Sequence, residues 1–123
     1  MNAHRDLAGC RLLLAEDEFL MAEDVSGDLL ARGAEVVGPV ASVAEALAVV
    51  RAGGRLDGAI LDLNLQGELA YPIADALIER GVPIVFATGY DRDVIAPPYR
   101  AIPRCEKPVT AARLALALFG PAI

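Results

Sequence analysis

The feature that most limits how this chain can fold is an alternation. Short, unbroken aliphatic runs take turns with longer segments whose apolar residues recur near every third or fourth position. Leu12-Leu13-Leu14-Ala15 is one such run, Ala59-Ile60-Leu61 another, and the β-branched and aromatic string "VPIVFATGY" a third. A strand exposed on one face alternates apolar with polar residues. A strand covered on both faces has no such need, and reads as a continuous apolar run.

Strands are therefore expected over 11–16, 35–38, 57–65, 82–90 and 101–108, the last at an edge because Pro103 interrupts it. Helices are expected between them. The first covers 19–32, with Leu20, Val25, Leu29 and Leu30 near helical spacing and Gly33 as its stop. The second follows Ser42, with Glu45 three residues on as in a capping box and Gly53-Gly54 at its end. The third has Pro72 in its first turn, where a missing N–H costs little. A short fourth lies in "DRDVIAPPYR", cut by Pro97-Pro98, and a fifth follows Thr110 as its cap. Five strands alternating with five helices give right-handed βαβ units: an α/β fold with a five-stranded parallel sheet and helices on both faces.

Composition fits one domain over 1–123. The hydrophobic fraction is 55%, enough for a sizeable core, and a second domain has no linker to lead to it. A net charge of −6 argues against a broad basic face for nucleic acid. Cys10 and Cys105 are too few for a disulfide framework, no apolar run reaches the length of a membrane span, and no secretory pattern opens the chain. A cytoplasmic domain with neither nucleic acid nor membrane as partner is the expectation.

Ligands of such sheets bind beyond the carboxyl ends of the strands, where strand order reverses. With the order 2-1-3-4-5, those ends bring together Glu16-Asp17, Asp62, Thr88 and Lys107. Adjacent acids repel one another, and alone they read as readily as mere solvated-loop or helix N-terminal charge as they do as a site. Clustered with a third carboxylate they form an oxygen-ligand site for a hard cation such as Mg²⁺. An aspartate at the centre can serve as a phosphoryl-accepting nucleophile, and a hydroxyl and an ammonium can hold phosphoryl oxygens. Glu18 is read as a first-turn charge, and Glu23, Asp24 and Asp28 as the exposed face of the first helix.

"LLLAEDE", "AILDLNL", "VFATGY" and "EKP", in this order and spacing, resemble the receiver domain of two-component response regulators over essentially the whole chain. The "FATGY" string is similar to a stand-alone subgroup of that family. The resemblance implies the flavodoxin-like receiver fold, Asp62 as phosphoacceptor, Thr88 as switch hydroxyl and Lys107 as phosphoryl contact. It implies Mg²⁺ held by Asp17, Asp62 and the backbone carbonyl of Asn64, with Glu16 acting through water, and a cis Lys107–Pro108 bond. It implies a sensor histidine kinase or histidine phosphotransfer protein as donor. A downstream protein target would receive the signal, or the domain would act as a phosphate sink, with no output domain and as a monomer or weak homodimer.

Two departures from the family pattern stand out. Arg104 occupies the position three before the lysine where receivers carry an aromatic, so it is either a surface residue or a charged switch replacement. Tyr90 is the candidate to replace that aromatic or to gate the site. Gln66-Gly67 stands where a proline is usual after the phosphoacceptor, which predicts a looser loop, and 89–100 is the expected mobile element. The competing reading is an interaction module that keeps the fold and is never phosphorylated. An aspartyl-phosphate phosphatase would place its aspartates two apart on the first strand, and a flavodoxin-like cofactor binder would not set acids against a phosphate.

Overall fold

The aliphatic runs become the central strands of the computed structural model, which describes residues 7–89 and 95–121. β1 (Arg11–Ala15), β3 (Gly58–Asp62) and β6 (Ile84–Thr88) are buried along nearly their whole length. β2 (Glu35–Val40) and the three-residue β7 (Arg104–Glu106) form the edges, and the sheet order is β2-β1-β3-β6-β7 with every pairing parallel. Counting only these five strands, the order is 2-1-3-4-5, the doubly wound arrangement that the alternation and the switch-point rule predict. Pro103 lies just before β7 and its carbonyl accepts from Phe86 N (2.9 Å), so the proline costs the edge no ladder bond.

Among the described residues, four α-helices cover the two faces. Val25 and Leu29 of α1 (Phe19–Ala31) and Ala111, Leu114 and Ala115 of α4 (Ala111–Phe119) pack on one side with Leu12, Leu14, Ile60 and Val85. Val43, Ala46 and Val50 of α2 (Val43–Arg51) and Ile73, Ala74 and Leu77 of α3 (Tyr71–Glu79) pack on the other with Leu13, Ala59, Leu61 and Phe86. Successive residues of each strand thus feed opposite cores, which is why the runs carry no polar residue.

Ser42 caps α2 by accepting from Glu45 N (3.1 Å), and Glu45 Oε1 reaches back to Ala41 N (3.1 Å), one residue before the cap. Thr110 caps α4 through Arg113 N (3.3 Å). The carbonyl side of α2 is closed by Arg80, whose guanidinium donates to Val50 O (2.9 Å) and Gly54 O (2.6 Å). Arg11 pairs with Glu35 and donates to Arg55 O (2.7 Å), and Arg55 pairs with Asp57. Together they fasten the amino end of the sheet.

Several expectations need correction. Leu20 and Leu30 are 72% and 55% exposed, and Ala22 joins Val25 and Leu29 in the core instead. At about 100° per residue, Leu20 sits roughly 140° around the helix from Val25 and cannot share its face. Asp28 is not merely a surface charge: its Oδ2 accepts from Ala111 N at 2.7 Å, tying α1 to the start of α4. Glu23 and Asp24 are exposed as expected, and Glu18 stands at the N-cap of α1 without a side-chain cap bond.

The stretch read as the third strand stops at Asp62. A hairpin follows, pairing β4 (Asn64–Leu65) with β5 (Glu68–Leu69). Its loop residues Gln66 and Gly67 have φ of 53° and 87°, the signs a type I′ turn requires, so the chain after Asp62 closes in a tight turn. Between β6 and β7 the described residues hold a single 3₁₀ turn, Pro97–Tyr99, rather than an α-helix. The rest of the expected fourth helix lies outside the described residues. Among the described residues, no helix is long and apolar enough to cross a membrane.

Candidate functional site

Four strand ends converge on one point. Asp62 is the last residue of β3, the central strand, and pairs in register with Ala87 of β6. Thr88 ends β6, Glu16 and Asp17 follow β1 directly, and Lys107 follows β7 with its N–H on Thr88 O at 2.7 Å. The Lys107–Pro108 peptide is cis. Parallel pairing in register therefore puts three carboxylates, a hydroxyl and an ammonium at the same level of the sheet.

Lys107 Nζ lies 3.0 Å from Asp62 Oδ2 and 3.1 Å from Glu16 Oε1. Asp62 Oδ1 accepts from Asn64 N at 3.2 Å, so both carboxylate oxygens are oriented. Glu16 Oε2 accepts from Glu18 N at 3.0 Å. Asp17 Oδ2 accepts from Gln66 N at 2.8 Å, and the Asn64 side chain accepts from Gly67 N at 2.9 Å. The hairpin after Asp62 is thus tied to the loop after β1, and a left-handed Gln66 is what aims its N–H at Asp17.

Electrostatics set the character of the site. Glu16, Asp62 and Thr88 are the buried polar side chains of the described residues, at 5%, 8% and 3% exposure, while Asp17 is exposed. Burial drives the Glu16 carboxyl from 4.5 up to about 7; the Asp62 charge adds to this, against the pull of the Glu18 amide and Lys107. For Lys107 burial works against the charge, yet the bonds and charges of Asp62 and then Glu16 outweigh it and hold the ammonium above its usual range. Among the described residues one lysine faces three carboxylates, so their negative charge outnumbers the positive charge paired with it.

One oxygen from each of Glu16, Asp17 and Asp62 can come within 4.8 Å of the others, a spacing that a single cation can bridge. Thr88 Oγ1 is the buried side-chain atom that has no hydrogen-bond partner among the described residues. Buried hydroxyls are nearly always paired, so this one marks a place for a ligand acceptor. Three clustered carboxylates and an unpartnered buried hydroxyl can hold a hard cation and a ligand that carries acceptor oxygens.

The cluster contains Glu16, Asp17, Asp62 and Lys107, with Thr88 one strand over and Asn64 bonded to Asp62. Arg104 is not among them: β7 alternates exposed, buried, exposed, and Arg104 is on its exposed side. Tyr90 lies outside the described residues. Sequence reasoning missed the hairpin and the bond from Gln66 N to Asp17, because two-residue strands leave almost no periodicity to read.

Fold and site define a class: a doubly wound sheet with a lysine-bridged acidic pocket at its switch point. Comparison with solved structures is specific within that class. The solution structure of SdrG from Sphingomonas melonis Fr1 is 41% identical, with a TM-score of 0.79 over 98% of each chain. The BeF3-activated conformation of SdrG from Pseudomonas melonis Fr1 is 40% identical, with a TM-score of 0.75 over 93% of this chain and 98% of that one. A response regulator receiver protein from Sinorhizobium medicae WSM419 is 27% identical, with a TM-score of 0.74 over 89% and 90%. No family model matches the sequence, and no curated protein matches it either. The chain belongs to the receiver-domain family of the response regulators.

Proposed function

We propose that this receiver accepts a phosphoryl group on Asp62 in a Mg²⁺-dependent reaction. The donor is a phosphohistidine on a sensor histidine kinase or histidine phosphotransfer protein. An Asp62 carboxylate oxygen attacks phosphorus in line, the P–N bond breaks, and its electron pair leaves on the imidazole nitrogen. Hydrolysis later returns the carboxylate, with water attacking phosphorus and inorganic phosphate leaving.

The unpartnered Thr88 hydroxyl beside the Asp62–Lys107 ion pair is the observation that carries this reading. Lys107 would follow a phosphoryl oxygen once Asp62 is an acyl phosphate, and Thr88 Oγ1 would donate to another. Glu16, Asp17, Asp62 and the Asn64 carbonyl would hold Mg²⁺, with Glu16 acting through water, and the excess negative charge of the three carboxylates suits a divalent cation. Bound there, the cation supplies charge neutralisation for the phosphoryl oxygens.

As a single receiver domain over 1–123 in the cytoplasm, the protein would signal by contact with a downstream target or drain phosphoryl groups from a shared donor. It catalyses only its own phosphorylation and dephosphorylation, as a monomer or weak homodimer. Arg104 remains a surface residue or charged switch replacement in this reading, and Tyr90 a replacement for the missing aromatic or a gate to the site. An unphosphorylated interaction module has no need of the assembled pocket, and nothing favours it.

Intact-mass spectrometry after incubation with acetyl phosphate tests the proposal. The expected result is a Mg²⁺-dependent gain of one phosphoryl group in the wild type and none in Asp62→Asn. A wild type that gains no phosphoryl group from acetyl phosphate, and whose amide spectrum beryllofluoride leaves unmoved at Asp62 and Thr88, overturns it.

A further inference from the structure

Half of the family's coupling device is missing from its usual place. β7 offers Arg104, exposed, and no aromatic ring that could follow Thr88 inward. Rings are scarce in the chain, with three Phe, three Tyr and no Trp. Of those in the described residues, Phe19 and Phe119 are exposed at 69% and 42%. The other three form one column. Phe86, fully buried on β6 two residues before Thr88, meets the edge of Tyr71 with centroids 6.2 Å apart. Tyr71 in turn lies flat on Tyr99, with centroids 4.1 Å apart and planes 4° from parallel.

Tyr71 stands where two loops of the site meet. It opens α3 directly after the hairpin that follows Asp62, and Ala70 N at that junction donates to Leu63 O (2.9 Å). Its hydroxyl accepts from Ala96 N at 2.8 Å. Tyr99 donates to the Asp75 carboxylate one turn along α3 (2.9 Å to Oδ1), and its carbonyl accepts from Ile102 N (3.1 Å). Arg100 Nε closes the same segment on Ile95 O at 3.0 Å. The chain from Ile95 to Ile102, which returns from the Thr88 side of the sheet to β7, is therefore clamped to α3 by a pair of rings. Proline at 97 and 98 leaves it few other bonds to make.

We propose that the Tyr71–Tyr99 pair is the coupling element of this receiver: it transmits the state of Asp62 to the surface formed by residues 95–102. This rests on the phosphoacceptor reading above. Phe86 shares a strand face with Thr88, so a shift of the end of β6 toward a phosphoryl oxygen presses on the column at its buried end. Phe86 is fully buried while Tyr71 and Tyr99 are half-buried, so the column reaches solvent at its tyrosine end, where the change becomes legible to a partner. A contiguous packed path of this kind gives a local event differential contact with a distant surface, which population shift requires.

The test is amide NMR of the full chain, with and without Mg²⁺ and beryllofluoride, in wild type, Tyr99→Leu and Tyr99→Phe. Wild type is expected to respond at Asp62, Thr88 and Lys107 and also at Asp75 and residues 96–102. Tyr99→Leu is expected to keep the first response and lose at least about two thirds of the second, and Tyr99→Phe, which keeps the ring, to restore most of it. An equal response at 96–102 in Tyr99→Leu, or a loss in Tyr99→Phe as large as in Leu, overturns the coupling role while leaving the phosphoacceptor reading intact. A wild type that takes up no beryllofluoride at Asp62 removes the state to be transmitted and overturns both.

Discussion

Three carboxylates served by one lysine should make the metal-free protein less stable than its fold allows, and Asp17→Asn measures by how much. Oxygens of Glu16, Asp17 and Asp62 come within 4.8 Å of one another. Two unit charges at that separation repel by about 3 kcal/mol at an effective dielectric of 20 and about 1 kcal/mol in water. Asp17 is exposed, so its repulsion belongs near the lower figure, and losing its attraction to Lys107 offsets part of the gain from removing it. A net stabilisation of roughly 1 kcal/mol follows, or about 4 °C in melting temperature for a domain of this size. The substitution is nearly isosteric, and the asparagine carbonyl can still accept from Gln66 N, so the loop geometry survives. Thermal and urea unfolding in EDTA should show the variant more stable than wild type. Adding Mg²⁺ should reverse the order, since a cation at ten times its dissociation constant stabilises the wild type by roughly 1.4 kcal/mol. An Asp17→Asn variant that melts at or below the wild-type temperature in EDTA would refute the argument. The Gln66 contact would then dominate the role of Asp17, not repulsion.

Two further outcomes follow from the same geometry. Glu16 has a folded-state value of about 7 against an ordinary 4.5, so the native state binds its proton more tightly than the unfolded chain does. Stability of the metal-free protein should fall as pH rises from about 4.5 to 7 and level off above. Glu16→Gln should flatten that slope in urea titrations, and an unchanged slope would assign it to other groups. Asp28→Ala removes the acceptor for Ala111 N and should cost about 1 kcal/mol by denaturant unfolding, with Asp28→Asn recovering most of it. Equal losses in both would mean the charge, not the bond, does the work.

What could be read from the sequence divides along the range of the forces involved. Strands buried on both faces reveal themselves as runs such as Leu12-Leu13-Leu14, and caps such as Ser42 with Glu45 span three residues, so both are local. The site was legible for a related reason. Asp62, Thr88 and Lys107 needed only to be strand ends, and the doubly wound order brings ends together without further information. Asp28 escaped because its partner lies 83 residues away, and nothing near position 28 distinguishes a capping aspartate from a solvated one. Leu20 and Leu30 mislead because a spacing only near the helical period leaves each well around the helix from Val25. Tyr71 and Tyr99 stack across a turn whose path no periodicity describes. The Gln66-Gly67 turn lacks the Asn-Gly or Asp-Gly dipeptide that announces a type I′ hairpin.

The arginine fastening at the amino end of the sheet has a consequence for how the protein can vary. Arg11, Arg55 and Arg80 close the loops around Gly54 and Asp57, and every group of the pocket sits at the opposite end of the strands. Substitutions at sites well apart and without shared partners add in free energy. Changes to that stitching should therefore move the melting point and leave the chemistry at Asp62 alone, and changes at the pocket need not disturb the stitching. Robustness and reactivity are in this way two separately adjustable properties of one small sheet. A lineage could harden the fold for a hotter cell, or loosen it for faster turnover in the cell, without touching the reaction.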